Sequence, residues 1–287
     1  AHGFPSNSNA IQSVSDACGP ARGAGLHLGC DVDARDRIAD DAGVERVVLF
    51  PTCLGDVAAR ATVADARVVL ERIGCDARDP RGATCCGQPG FNSGHEGPAR
   101  AVAGATLRAL DDGTDDPILV PSGSCASMVR LHWRELFHGR PEADAATRVA
   151  RRVRELSSFL AERVDAIAGL APQLDARVGY HDSCHMLREL RIRNAPRDVI
   201  GAITGVELVE LPSAERCCGF GGTFSGRYPD VSVAMADSKL QDVAEAGIDL
   251  LVSADPGCLM QLGGRLSRTG SPVRAVHLAT LVREALP

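Results

Sequence analysis

Eight of the eleven cysteines fall into two sets whose spacing nearly repeats, and this constrains the fold more than any other feature of the sequence. In the first half, 31 residues lie between Cys53 and Cys85, Cys86 is adjacent, and 38 residues lie between Cys86 and Cys125. In the second half, 32 residues lie between Cys184 and Cys217, Cys218 is adjacent, and 39 lie between Cys218 and Cys258. The loops agree beyond their cysteines. CCGQPGFNSG aligns with CCGFGGTFSG, which places Gly90 over Gly222, Ser93 over Ser225 and Gly94 over Gly226. A self-similarity of about 132 residues with so many fixed points predicts two copies of one module.

The residues between the cysteines alternate between strand and helix patterns. The run Arg46–Phe50, RVVLF, has the length and β-branched content of a buried strand and leads through Pro51-Thr52 to Cys53. A helix over Val57–Ile73, an extended piece over Cys75–Arg78, a helix over Pro98–Leu110 and a strand over Ile118–Val120 follow, the last running into Cys125. The second half repeats the order. Strand Arg177–His181 leads to Cys184, helix Pro196–Thr204 and strand Val206–Leu211 lead to Cys217, and helix Val231–Ala246 with strand Ile248–Val252 leads to Cys258. The pattern predicts an α/β fold of two pseudo-symmetric parallel-sheet modules with crossover helices. Ligands of such sheets collect at the carboxyl ends of the strands, where Cys53, Cys125, Cys184 and Cys258 emerge.

The domain reading has four parts: a mobile N-terminal extension over residues 1–43, a first module over 44–140, a helical connector over 141–175, and a second module over 176–287. The extension is rich in Gly, Ser, Asn and Asp, and its Cys18 and Cys30 have no counterpart in the repeat, so neither is expected to be a ligand. The chain opens on Ala1 rather than Met, which reads as a processed or trimmed start. The basic stretch RVARRVRELSSFLAERV in the connector reads as the solvated side of a helix rather than a docking face.

Packing does not account for eight cysteines at matched spacing, because a core accepts many small apolar side chains at such positions. In a reducing compartment they point to metal or redox chemistry rather than to disulfides. Adjacent cysteines seldom bridge one another, but both can face a cluster whose several irons accept thiolates from different directions. Gly87 and Gly219, beside the Cys-Cys pairs, let backbone N–H groups approach the cluster sulfurs, and helices starting just after Cys125 and Cys258 would aim their positive ends at the thiolates. Four thiolates also suit zinc, although the usual paired C-x2-4-C knuckles are missing. There is no C-x-x-C redox motif and no strand followed by G-x-G-x-x-G for a flavin or nicotinamide. A net charge of -6 gives no general attraction for nucleic acid, and the sequence has neither a secretory-type leader nor an apolar run long enough to span a bilayer, so a cytoplasmic location is expected. Nearly every basic residue is Arg; Lys239 is the single lysine.

The paired pattern C-x31-32-C-C-G-x37-38-C resembles the cysteine-rich CCG family, whose members include the cysteine-rich subunit of heterodisulfide reductase and the iron-sulfur subunits of glycolate oxidase and anaerobic glycerol-3-phosphate dehydrogenase. The resemblance rests on FPTCLGD, CCGQPGFNSG, PSGSC, HDSCHM, CCGFGGTFS and DPGCLM with its following GGRL, and covers about Val44 to Leu286. It is strongest to the branch of the family that serves lactate utilisation. That branch implies a complex oxidising L-lactate to pyruvate, in which such a chain is a non-flavin electron-transfer subunit beside a ferredoxin-like iron-sulfur subunit and a third small subunit. In heterodisulfide reductase the last cysteine of each module belongs to a C-x-x-C pair, whereas here the earlier position is Ser122 in one half and Asp255 in the other. One four-thiolate 4Fe-4S cluster per module is therefore the simpler expectation. Disulfide reduction of the heterodisulfide type and a zinc-stabilised scaffold are the alternatives. Ser122 and Asp255 either offer oxygen to the cofactor or cap the following helices. His181 and His185, flanking Cys184, are candidates for touching substrate or for hydrogen bonding to cluster sulfur. Arg188 and Arg265 are candidates for clamping a carboxylate.

Overall fold

The computed structural model describes residues 44–287, so Cys18, Cys30 and the expected extension lie outside the described residues. Strands β1 (Glu45–Leu49), β2 (Cys75–Arg78), β3 (Ile118–Val120) and β4 (Val153–Glu155) form one sheet in the order β2-β1-β3-β4. Strands β5 (Gln173–Tyr180), β6 (Thr204–Val209), β7 (Leu250–Ser253) and β8 (Arg274–His277) form a second in the matching order β6-β5-β7-β8. Every pairing is parallel, with Val48 opposite Ile118 in the first sheet and Val178 opposite Leu250 in the second. The architecture is the pair of pseudo-symmetric parallel-sheet modules that the repeat predicts.

Both faces of each sheet are covered, which is why the central strands read as unbroken apolar runs. Along β1, Val47 and Leu49 point into a core shared by the two halves, while Val48 and the following Phe50 point into a core of the first half alone. Along β5 and β7, Val178, Tyr180, Leu250 and Val252 enter the shared core, and Leu251 enters a third core belonging to the second half. Helix Arg60–Arg72 packs on helix Leu278–Ala285 and helix Leu156–Ala161 on helix Asn194–Gly201, so apolar burial between the halves holds both sheets in one unit.

The connector expected over residues 141–175 requires correction. Its helices Ala143–Arg152 and Leu156–Ala161 are separated by β4, the edge strand of the first sheet, and β5 already begins at Gln173. Three residues cannot display a period-two pattern against amphipathic helices on either side, so β4 reads as helix. The basic face keeps the solvated side expected of it, with Arg148 58% exposed and Arg151 exposed, while three of its arginines also reach back to their own module. Arg148 pairs with Asp111 at 2.7 Å, Arg152 with Asp112 at 3.0 Å, and Arg163 with Glu45 at 2.6 Å, locking the segment to its own module. The helix expected over Val57–Ile73 is two helices, Cys53–Ala58 and Arg60–Arg72, broken where Ala59 leaves helical geometry at φ -134°. No described helix is long and apolar enough to cross a membrane.

Candidate metal centre

All four strand-end cysteines sit just beyond the carboxyl ends of central strands. Cys53 opens helix Cys53–Ala58 after β1, and Cys184 caps a π-helical turn, His185–Leu190, after β5. Thr52, immediately before Cys53, is held at φ 67°, a conformation that costs a non-glycine residue about 1–3 kcal/mol and marks backbone strain at the site. Cys125 and Cys258 lie inside the first turns of helices Gly123–Ser127 and Pro256–Arg268, so these helices start before the cysteines and not after them. Ser122 caps the first, its hydroxyl accepting from Cys125 N at 3.4 Å. Asp255 caps the second, its Oδ1 accepting from Gly257 N at 3.0 Å. Their side chains thus do the capping that the turn sequence offers.

The two Cys-Cys pairs reach the same places from loops that glycine shapes. Gly87 and Gly219 stand at φ 87° and 83°, and a Cβ on them would lie 2.7 Å from Ala99 O and 2.5 Å from Ser232 O. From there Gly87 N points at Cys85 Sγ (3.5 Å), Gly219 N at Cys217 Sγ (3.4 Å), and Phe220 N at Cys218 Sγ (3.5 Å). The sulfurs converge: Cys86 Sγ is 3.3 Å from Cys125 Sγ, and Cys218 Sγ is 3.1 Å from Cys258 Sγ. Cys85 takes hydrogen bonds from Cys53 and Cys86, which draw its thiol down to about 3. Cys217 is drawn down likewise by Cys184 and Cys218, and those two are pushed up by the same bonds. Each set is therefore four soft sulfur donors with one thiolate already favoured, a donor set that fits zinc or an iron-sulfur cluster.

The sets face one another across a cavity of about 300 Å³, lined by Cys53, Cys86 and Cys125 from the first half and by Cys184, Cys217, Cys218 and Cys258 from the second. Contacts between the halves frame it. Asp255 Oδ2 accepts from Ser124 N at 2.7 Å, Gln88 Nε2 lies 3.0 Å from His185 Nε2, and Ser93 Oγ lies 2.8 Å from Thr223 Oγ1. His185 also sets Nδ1 3.6 Å from Cys184 Sγ, so it lines the cavity as a bridge between the halves. His181 is buried behind Cys218 and Cys258, where desolvation pushes its imidazole down to about 3.

Of the other expected residues, Arg265 is already engaged by Asp237 at 2.5 and 2.9 Å, and Arg188 donates to Glu215 O at 3.3 Å; neither lines the cavity. Sequence reasoning misses two supports. Asp182, buried two residues before Cys184, is gripped by both nitrogens of the Arg197 fork at 2.9 and 2.8 Å. Lys239 is fully buried and donates to Ser213 O at 2.7 Å, tying down the loop that carries Cys217 and Cys218. Its being the single lysine in an arginine-rich chain is the available signal: a compact ammonium fits where a guanidinium fork would not.

A family model described as a cysteine-rich domain, CCG, matches residues 47–130 and 178–263. Lactate utilization protein A of Geobacillus kaustophilus is 42% identical over 242 residues, which cover 83% of this chain and 98% of the relative. The protein of that name from Shouchella clausii is 40% identical over 237 residues, covering 82% and 98%. Among solved structures, that of a hypothetical protein from Helicobacter pylori superposes with a TM-score of 0.55 at 13% identity over 84% of this chain. The match spans about half of that protein, 49% of its length, and the likeness concerns the fold alone.

Proposed function

The chain belongs to the cysteine-rich CCG family, and from that membership we propose that it is an iron-sulfur electron-transfer subunit of a cytoplasmic complex oxidising L-lactate to pyruvate. The observation that carries the reading is the meeting of the two four-cysteine sets at one cavity, lined by every member but Cys85, which is hydrogen bonded to Cys53 and Cys86. Two redox centres that close allow electrons to pass singly through the molecule. In this reading Cys53, Cys85, Cys86 and Cys125 hold one 4Fe-4S cluster, and Cys184, Cys217, Cys218 and Cys258 hold the other. Gly87 N–H and Gly219 N–H hydrogen bond to the ligating sulfurs and stabilise the reduced, more negative state, while Ser122 and Asp255 fix the helix turns that present Cys125 and Cys258. The names of the relatives supply lactate as the substrate, and the partners follow from the family: a ferredoxin-like iron-sulfur subunit and a third small subunit.

Anaerobic purification followed by iron, acid-labile sulfide and spin-resonance measurements tests the proposal. Brown protein with about eight irons per chain, a count taken from two four-iron clusters, supports it, and Cys86→Ser and Cys218→Ser should each lose the centre of one half only. Colourless protein carrying zinc would replace it with a scaffold role. The cavity also offers a small thiol access to both sets, so a thiol-induced change in the resonance spectrum would favour the disulfide-reductase alternative.

A further inference from the structure

One buried position facing the cysteines differs between the two halves. Phe50 and His181 are structural equivalents: Phe50 N donates to Leu119 O at 2.9 Å, His181 N donates to Val252 O at 2.8 Å, and each precedes its strand-end cysteine by three residues. Both side chains are almost wholly buried, at 0% and 1% exposure. Phe50 belongs to the same apolar core as Cys86 and Cys125, which is the ordinary way to fill such a place. His181 fills it with a ring whose Nδ1 and Nε2 are both buried and without a hydrogen-bond partner among the described residues.

An unsatisfied buried polar atom costs about 1–3 kcal/mol, so the fold carries a penalty here that phenylalanine in the first half avoids. The ring is not remote from chemistry. One of its nitrogens and the sulfurs of Cys218 and Cys258 all lie within 4.8 Å of one another. A neutral imidazole carries one N–H donor, and metal-bound thiolates are the strongest acceptors within its reach.

We propose that His181 donates its ring N–H to the thiolate of Cys218 or Cys258 when the second set holds its cluster, so that the second centre has a higher reduction potential than the first. The inference rests on the iron-sulfur reading above. Hydrogen bonds to cluster sulfurs favour the reduced state by offsetting its added negative charge, and the first half has only Phe50 at this position. Electrons entering the chain would then settle in the second half, beside the cavity edge where His185 and Gln88 meet.

The test is a reductive titration of the anaerobically purified full chain, following each centre by spin resonance, in the wild type, His181→Phe and His181→Gln. His181→Phe installs the residue the first half already uses. It should lower the second centre's reduction equilibrium about tenfold, equivalent to about 59 mV for one electron, with iron content and the first centre unchanged. His181→Gln keeps an N–H and should recover most of the shift. The reciprocal Phe50→His should raise the first centre and keeps the proposal testable if His181→Phe folds poorly. Unchanged potentials in iron-replete variants would overturn this inference alone, as would loss of second-half iron in both histidine variants, which would mark a ligand instead. Absence of iron and sulfide from the wild type would remove the underlying reading.

Discussion

Asp255 of the second half accepts the backbone N–H of Ser124 of the first half at 2.7 Å through Oδ2, while its Oδ1 accepts Gly257 N–H at 3.0 Å. One buried carboxylate thus orders the first turns of both helices that carry the last cysteine of each set. A negative charge suits that place, since both contacts are unpaired N–H groups at helix amino termini.

Replacing Asp255 should therefore damage both halves. Asp255→Ala removes a cap, worth about 1 kcal/mol, and leaves buried N–H groups unsatisfied at about 1–3 kcal/mol. Denaturant unfolding should show a loss of about 3 kcal/mol in all, and metal content should fall in both centres. Ser122→Ala loses the longer 3.4 Å bond to Cys125 N and a 3.2 Å contact with the Ser124 hydroxyl, both within the first half, so its effect should be about 1 kcal/mol and confined to that half. A loss restricted to the second half in Asp255→Ala would show that the Ser124 contact contributes nothing.

The Asp182–Arg197 pair should behave as a buried salt bridge. The Asp182 carboxylate has 1% exposure and Arg197 12%, and Glu210 holds the outer edge of the fork at 2.6 and 2.9 Å. Arg197→Leu strands a buried carboxylate and should cost about 3–5 kcal/mol in urea unfolding, whereas Asp182→Asn with Arg197→Leu should recover much of it. If the double variant is as unstable as the single one, packing against Tyr180, whose ring lies 5.3 Å from the guanidinium, is the main role of Arg197.

Gly87 and Gly219 should resist substitution more than left-handed glycines that have open space around them. Alanine at either place would incur about 1–2 kcal/mol for its backbone conformation and would also collide with a helix carbonyl, Ala99 O or Ser232 O. Gly94 has a similar φ of 76° but open space around it. Thermal melts should show Gly94→Ala losing only the conformational part, with Gly87→Ala and Gly219→Ala clearly less stable. Equal losses in all three would mean that the close approach is relieved by small shifts.

Much of this design can be read in the sequence, because its signals are long or repeated. Strand RVVLF, the cysteine spacing and the paired CCG loops each have enough residues to fix a period or register. What escapes notice is short or depends on the third dimension. β4 and β8 are three and four residues long, as β3 and β2 are, but they lie outside the Cys53–Cys125 and Cys184–Cys258 intervals whose repeat exposes β2 and β3. The asymmetry between Phe50 and His181 is visible as letters, but its meaning depends on both ring nitrogens being buried near sulfur. Asp255 and Ser124 are 131 residues apart, and no local rule joins them.

The fold's dependence on pH should be set in part by Glu155, the last residue of β4. Its carboxyl is 1% exposed, Oε2 accepts from Ser157 N at 2.9 Å and Ser158 N at 3.3 Å, and Oε1 has no partner among the described residues. Burial, offset in part by those bonds and reinforced by the Asp255 carboxylate, raises it from 4.5 to about 7; the buried Tyr180 phenol is also close enough to feel its charge. A carboxyl whose folded value lies above its unfolded one favours the fold while protonated. That contribution is full below about 4.5 and is lost as pH rises through about 7, a change of about 3 kcal/mol at 1.36 kcal/mol per unit. His277, which caps the matching helix of the second half, runs the other way: burial lowers it from 6.5 to about 4, so its contribution is full above 6.5 and is lost as pH falls. Between about 4.5 and 6.5 the Glu155 slope is opposed in the wild type by those of His277 and the likewise lowered His181, so total stability is a poor readout. The difference between wild type and Glu155→Gln isolates the carboxyl, because glutamine can still accept the Ser157 and Ser158 N–H groups. Unfolding free energies measured from pH 4 to pH 8 should show the glutamine variant gaining on the wild type by about 3 kcal/mol across that range. A difference that stays flat would mean Glu155 is ionised in the fold throughout, with a counter-charge brought to Oε1.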